Sequence, residues 1–216
     1  EQARHLNIPT TLVHPPGSEL GGGSWRVDLE KLRTAIQSLR PRTTLVIWNN
    51  PNNPSGIAYG RDTVAAIGAV FQEARCMVLE DAVYRDLSHA TQEEMVVSLA
   101  NYYPEGTMRG YSLSKTFGAG GYCFGYITFP APLDIAYRGC LSLASTMYSC
   151  PSSPAHHAAV NILGPVCAEH RSRLNAFQRR MYADALGVVR AELEGSGVDV
   201  SDSGGAAWYV LLDFHR

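Results

Sequence analysis

Four side chains of this sequence bring together functional groups that can work on one small heteroaromatic molecule. Lys115 closes the segment Ser-Leu-Ser-Lys, and its amine can condense with an aldehyde to a Schiff base. Asp81, in Glu-Asp-Ala-Val-Tyr, offers a carboxylate that can keep a ring nitrogen protonated. Tyr84, three residues on, can reach an adjacent ring atom, and Asn53 brings a side-chain amide to the same edge. Ser112 and Ser114 add small hydroxyls suited to a phosphate. An electron-sink cofactor needs such a set: an amine to hold it, an acid on its nitrogen, donors on its ring oxygen and an anion seat. Each residue alone has a plainer explanation. Asp81 could cap a helix, Asn53 could serve its turn, Tyr84 could be packing and Lys115 a surface charge.

The elements around these residues give the set its weight. Thr10–His14 reads as a short strand, and Pro15–Ser24 as loop. Asp28 looks like the N-cap of a helix carrying Leu29, Leu32, Ile36 and Leu39 at helical spacing, ended by Pro41. Thr43–Trp48 and Cys76–Leu79 are near-continuous apolar runs, which predict strands buried on both faces. Between them, residues 62–75 form a second amphipathic helix. Met108–Ser112 and Phe124–Phe129 read as strands, residues 152–163 and 168–193 as helices, and Val198–Ser201 and Trp208–Phe214 as strands. The alternation of strand and helix argues an α/β domain with a mostly parallel or mixed sheet. Asn53, Asp81 and Lys115 each follow a strand. Ligands of open α/β sheets sit beyond the carboxyl ends of strands, so the three loops converge on one site.

Composition fits this reading and excludes others. The 216 residues are 45% hydrophobic and 18% charged, with a net charge of −2. Nothing there draws the chain to nucleic acid or to an anionic membrane. No transmembrane run or signal peptide is visible, and the opening EQARHLNIPT reads as mid-domain sequence. Five cysteines, Cys76, Cys123, Cys140, Cys150 and Cys167, are irregularly spaced without a CxxC, which predicts free thiols serving mostly as core residues in a reducing, cytoplasmic setting. His156 and His157 lack a second cluster at ligand spacing, so no metal site is expected. Arg4, Arg26 and Arg138 read as solvated charges.

The segments NNPNNPSG, EDAVY and SLSKTFGAGGYCFGY, in that order, resemble the marks of fold-type I pyridoxal-phosphate (PLP) enzymes of the class I/II aminotransferase group, the relatives of aspartate aminotransferase. The resemblance implies a three-layer sandwich around a mostly parallel sheet. Residues 1–204 would be a partial large domain, and residues 205–216 the beginning of a small α+β domain. It implies pyridoxal 5'-phosphate as cofactor, an amino acid and a 2-oxo acid as substrates, and a homodimer. Lys115 would form the Schiff base and move the proton between substrate and cofactor. Asp81 would pair with the pyridine nitrogen, Asn53 and Tyr84 would hold the ring oxygen, and Ser112 and Ser114 would hold the phosphate.

Two departures stand beside the match. Relatives usually carry an arginine eight residues after the lysine to clamp the phosphate, and here that position is Cys123. A thiol cannot supply an arginine's charged fork. Relatives are also far longer, with a Gly-rich phosphate loop and a stacking aromatic upstream and a carboxylate-gripping arginine downstream. The chain is therefore read as a fragment or a truncation. Three functions stay open: an aminotransferase, another PLP reaction such as a lyase, decarboxylase or oxidase, and a catalytically incompetent domain that only dimerises. The polar segment Ser145–Pro154 is a candidate for contact with a partner subunit's site.

Overall fold

The computed structural model describes residues 11, 27–39, 44–89, 96–200 and 205–214. The expected strand Thr10–His14 and loop Pro15–Ser24, with Arg4, Arg26 and Pro41, lie outside the described residues, Thr11 apart. The first helix, α1 (Leu29–Ser38), starts as its sequence predicts. Asp28 is extended, and its carboxylate accepts from the amides of Glu30 and Lys31, both at 3.0 Å. Those amides have no partner inside the helix, so the cap satisfies them. Leu32 and Ile36, four apart and so on one face, are buried.

Next in order come β1 (Leu45–Asn49), α2 (Arg61–Ala74), β2 (Met77–Asp81), β3 (Thr107–Ser112), the single turn α3 (Leu113–Thr116) and β4 (Gly125–Thr128). The strands form one sheet in the order β1-β2-β3-β4, the first three parallel and the last antiparallel. On one face, Val78 packs under Val64, Ile67 and Phe71 of α2 and Ile36 of α1, with Leu99 and Tyr103 closing the core. Such burial is the main force holding the sheet to its helices.

The other face departs from expectation. The apolar run of β1 predicts two covered faces, yet Leu45 is 53% exposed and Ile47 70%. Val46 and Trp48, pointing the other way, pack against the core. Across the open face stands α4 (Asp134–Met147), a helix absent from the expected elements and without a buried residue. Tyr137, Cys140, Leu141 and Ala144 recur on it at helical spacing and face the sheet. A groove of about 690 Å³ separates it from the sheet, with Ile47, Leu79 and Ile127 on one wall and Tyr137 and Leu141 on the other. Ser145–Met147, the start of the polar segment Ser145–Pro154, belong to α4. Arg138 pairs with Asp134 one turn back at 2.7 Å, an exposed contact of little energetic worth.

Helices α5 (Ser153–Leu163) and α6 (Ala168–Leu193) follow, and then β5 (Val198–Val200) pairs antiparallel with β6 (Leu212–Phe214). The expected strand Trp208–Phe214 is thus shorter by its first four residues. Those residues leave the ladder because Trp208 and Tyr209 pack on Tyr84 and Tyr182. The cysteines also depart from expectation. Only Cys76 is buried, whereas Cys123, Cys140 and Cys150 are exposed. Among the described residues, no helix is long and apolar enough to cross a membrane.

Period-two alternation separates the two acids at the end of β2. Glu80 turns to the helix-covered face, where it is 2% exposed. There it accepts from Ser98 Oγ at 2.5 Å and from the amide of Leu99 at 2.8 Å. It is an anchor for the turn Leu99–Asn101. Glu80→Ala leaves both donors buried without an acceptor, so a loss of about 2 kcal/mol of stability is expected. A denaturant midpoint shift with unchanged slope measures it. An unchanged midpoint would mean that the two bonds carry nothing.

Candidate active site at the strand ends

Parallel pairing puts the carboxyl ends of β1, β2 and β3 along one edge. Asn49, the last residue of β1, pairs with Asp81, the last of β2, and Asp81 pairs with Gly110 of β3. Neighbouring strands lie roughly 4.8 Å apart, so these positions form a row about 10 Å long. Ser112 ends β3 two residues further out, and Lys115 lies on the turn α3 that follows.

Asp81 is partly buried and faces the groove. Burial pushes its carboxyl above the ordinary aspartate value, and a 3.4 Å hydrogen bond from the Val83 amide opposes that shift. No ion pair reaches it among the described residues. A half-desolvated acid without a cation fits a protonated ring nitrogen, whose charge would relieve the cost of burying the carboxylate.

The amide and phenol meet as the sequence anticipates. Asn53 Nδ2 donates to Tyr84 Oη at 3.5 Å. Tyr84 is 4% exposed. Burial first, then the bond and field of Tyr209, hold the Tyr84 proton well above the usual phenol range, while Asn53 opposes them. Asn53 owes its place to Asn49, a residue the sequence reading passed over. Asn49 Oδ1 accepts from the Asn53 amide at 2.7 Å, and its Nδ2 donates to Asp81 O at 3.1 Å. One side chain thereby ties the Asn53 loop to the end of β2. The only available signal was the first asparagine of NNPNNPSG, and turn chemistry accounts for asparagine there equally well.

Ser112 has a structural task. Its Oγ accepts from the Ser114 amide at 3.1 Å, as the N-cap of α3, and donates to Phe124 O at 3.3 Å. Lys115, one residue beyond Ser114, is partly exposed. Cys123 is exposed and holds a left-handed backbone, φ 48°, with its thiol against Gly120 O at 3.6 Å. Tyr209 is a second residue that the sequence reading missed. Its hydroxyl lies 2.6 Å from that of Tyr84, from a position 125 residues away along the chain.

An open, mostly parallel α/β sheet with an acid, an amide and a phenol at its carboxyl edge, and a lysine on the turn beyond, has the layout of α/β proteins that bind ligands at their strand ends. The comparisons with known proteins supply the family. Residues 15–215 match the family model described as aminotransferase class I and II, and the chain belongs to that family. It is 32% identical over 198 residues to an aspartate aminotransferase of Geobacillus stearothermophilus, covering 84% of this chain and 48% of that protein. It is 29% identical over 143 residues to the glutamate-pyruvate aminotransferase AlaA of Escherichia coli K12, covering 65% of this chain and 34% of that one. A solved structure of a Thermus thermophilus aspartate aminotransferase, a tetra mutant, superposes with a TM-score of 0.82 at 23% identity, over 97% of this chain and 53% of that one. The chain thus spans about half the length of the Geobacillus relative. Pyridoxal 5'-phosphate, the cofactor implied by the sequence resemblance, fits the donors at the strand ends.

Proposed function

We propose that the protein is a pyridoxal 5'-phosphate-dependent aminotransferase, moving an amino group between an amino acid and a 2-oxo acid. The observation that carries the reading is the row of strand ends, where Asp81 and the Asn53–Tyr84 pair stand at one edge with Lys115 just beyond. Family membership and the names of the aligned relatives support it. When bound, the cofactor supplies an electron sink for the pair released at the substrate Cα.

The chain's residues divide the remaining work. Lys115 would hold the cofactor through its amine, and the same amine would move the proton at the substrate Cα. Asp81 keeps the ring nitrogen protonated. Asn53 and Tyr84 donate to the ring oxygen, and Ser114 with the turn α3 takes part of the phosphate. Cys123 cannot supply the fork that an arginine would give the phosphate. A homodimer, with Ser145–Pro154 near the partner, belongs to the same reading, as does a small domain beginning near residue 205.

The test is spectral. Protein expressed from its whole reading frame, reconstituted with pyridoxal 5'-phosphate, is mixed with single amino acids. Conversion of the bound cofactor to its pyridoxamine form, reversed by a 2-oxo acid, is the expected result. No conversion with any amino acid, or release of ammonia or carbon dioxide instead, would rule out transamination.

A further inference from the structure

The Tyr84 hydroxyl lies between an amide and a second phenol. Asn53 Nδ2, which can only donate, stands 3.5 Å away, and Tyr209 Oη stands 2.6 Å away. The shorter distance is at the tight end for two hydroxyls. Tyr209 is held there from several sides. Its ring meets that of Tyr84 edge-on at 5.3 Å and that of Trp208 at 5.5 Å. Its backbone is pinned two residues upstream, where the Ala207 amide donates to Leu87 O at 2.8 Å and Ala206 bridges to Ser88. Ala206 and Ala207 are fully buried. A contact this constrained between residues 125 apart in sequence is set by the fold.

A phenol has one proton and two lone pairs to share. If Tyr84 gave its proton to Tyr209, it would have none for a ligand. If Tyr209 gives, Tyr209 and Asn53 fill both lone pairs of Tyr84, and its single proton has only the site to point into. We propose that Tyr209 is a positioning residue that donates to Tyr84 Oη and so directs the Tyr84 proton to the ring oxygen of pyridoxal 5'-phosphate. The inference rests on the cofactor reading above. Burial, the largest cause of the upward shift of the Tyr84 proton affinity, accords with a hydroxyl that stays protonated.

The test compares four proteins: the parent, Tyr84→Phe, Tyr209→Phe and the double variant. Phenylalanine keeps both rings in place, and circular dichroism checks the fold. Fluorescence titration gives the affinity for pyridoxal 5'-phosphate, and the visible band of the bound cofactor is followed against pH. Tyr209→Phe is expected to weaken binding about five-fold, the worth of one neutral hydrogen bond. It should also move the pH midpoint of the band toward that of Tyr84→Phe. In the Tyr84→Phe background the same change should do nothing. An equal loss in both backgrounds would mean that Tyr209 only packs, and the inference fails while the cofactor reading stands. No effect of Tyr209→Phe, where Tyr84→Phe has one, overturns it too. Should Tyr84→Phe leave affinity and band unchanged, the placement of Tyr84 at the cofactor falls, and the inference falls with it.

Discussion

Lys115→Ala should abolish covalent capture of pyridoxal 5'-phosphate and lower transamination by about 10³-fold or more, the combined worth of a lost tether and a lost proton carrier. Its place in the fold supports so large an effect. Lys115 sits on a one-turn helix capped by Ser112 and fixed to the end of β3. The amides of Phe117 and Gly118 donate back to Leu113 O and Lys115 O at 3.1 and 3.3 Å, which fixes the Lys115 backbone. No other lysine lies among the residues of the site, so nothing nearby can replace its amine. Lys115→Arg is the control for charge, because a guanidinium keeps the positive charge but makes no imine at neutral pH. Borohydride reduction of the loaded protein, followed by digestion, should leave the pyridoxyl label on Lys115 in the parent and none in either variant. A label on another residue of the parent would end the assignment.

Asp81→Asn should lower transamination by roughly 10²- to 10³-fold while the fold persists, the scale set by losing a charge-assisted hydrogen bond in a partly dry site. The same substitution has a signature without any cofactor. Folding raises the proton affinity of Asp81, mainly through burial. The folded protein therefore holds that proton more tightly than the unfolded chain. Stability falls as pH climbs from the unfolded aspartate value through the folded one, and the loss persists above it. Asparagine has no such proton. Cofactor-free Asp81→Asn protein should thus be more stable than the parent at neutral pH, and the advantage should vanish in acid. Thermal melts across pH measure the crossover. Adding pyridoxal 5'-phosphate should reverse the order, because the parent gains a paired cation and the variant does not. Equal melts at every pH, with and without cofactor, would show that Asp81 faces solvent rather than a ring nitrogen.

Much of the scaffold was legible because its signals are local. The cap at Asp28 and the four-residue spacing of Leu32 and Ile36 each depend on residues within a turn or two. The extended runs that became β1, β2 and β3 were visible for the same reason, and the residues proposed for the cofactor were picked out by their place at the ends of those strands. The helix α4 was not among the expected elements, although Tyr137, Cys140, Leu141 and Ala144 stand at helical spacing along it. Likewise, β propensity alone made Trp208–Phe214 a strand, but aromatic packing on Tyr84 took its first half out of the ladder.

By itself the sequence named the residues proposed for the chemistry and the strands that lead to them. Hydrogen-bonding groups and periodicity are properties of the chain, so Lys115, Asp81, Asn53 and Tyr84 were nameable before any coordinates. Only the tertiary structure decided what Glu80, the other acid of the pair, does. Alternation puts the two on opposite faces, but the covering of one face by α1 and α2 selects Asp81 for the groove and Glu80 for the core. It also decided that Asn49 and Tyr209 belong with the site. Their contacts join residues 32 and 125 apart in sequence, and such pairings arise from sheet register and chain return rather than from any local pattern.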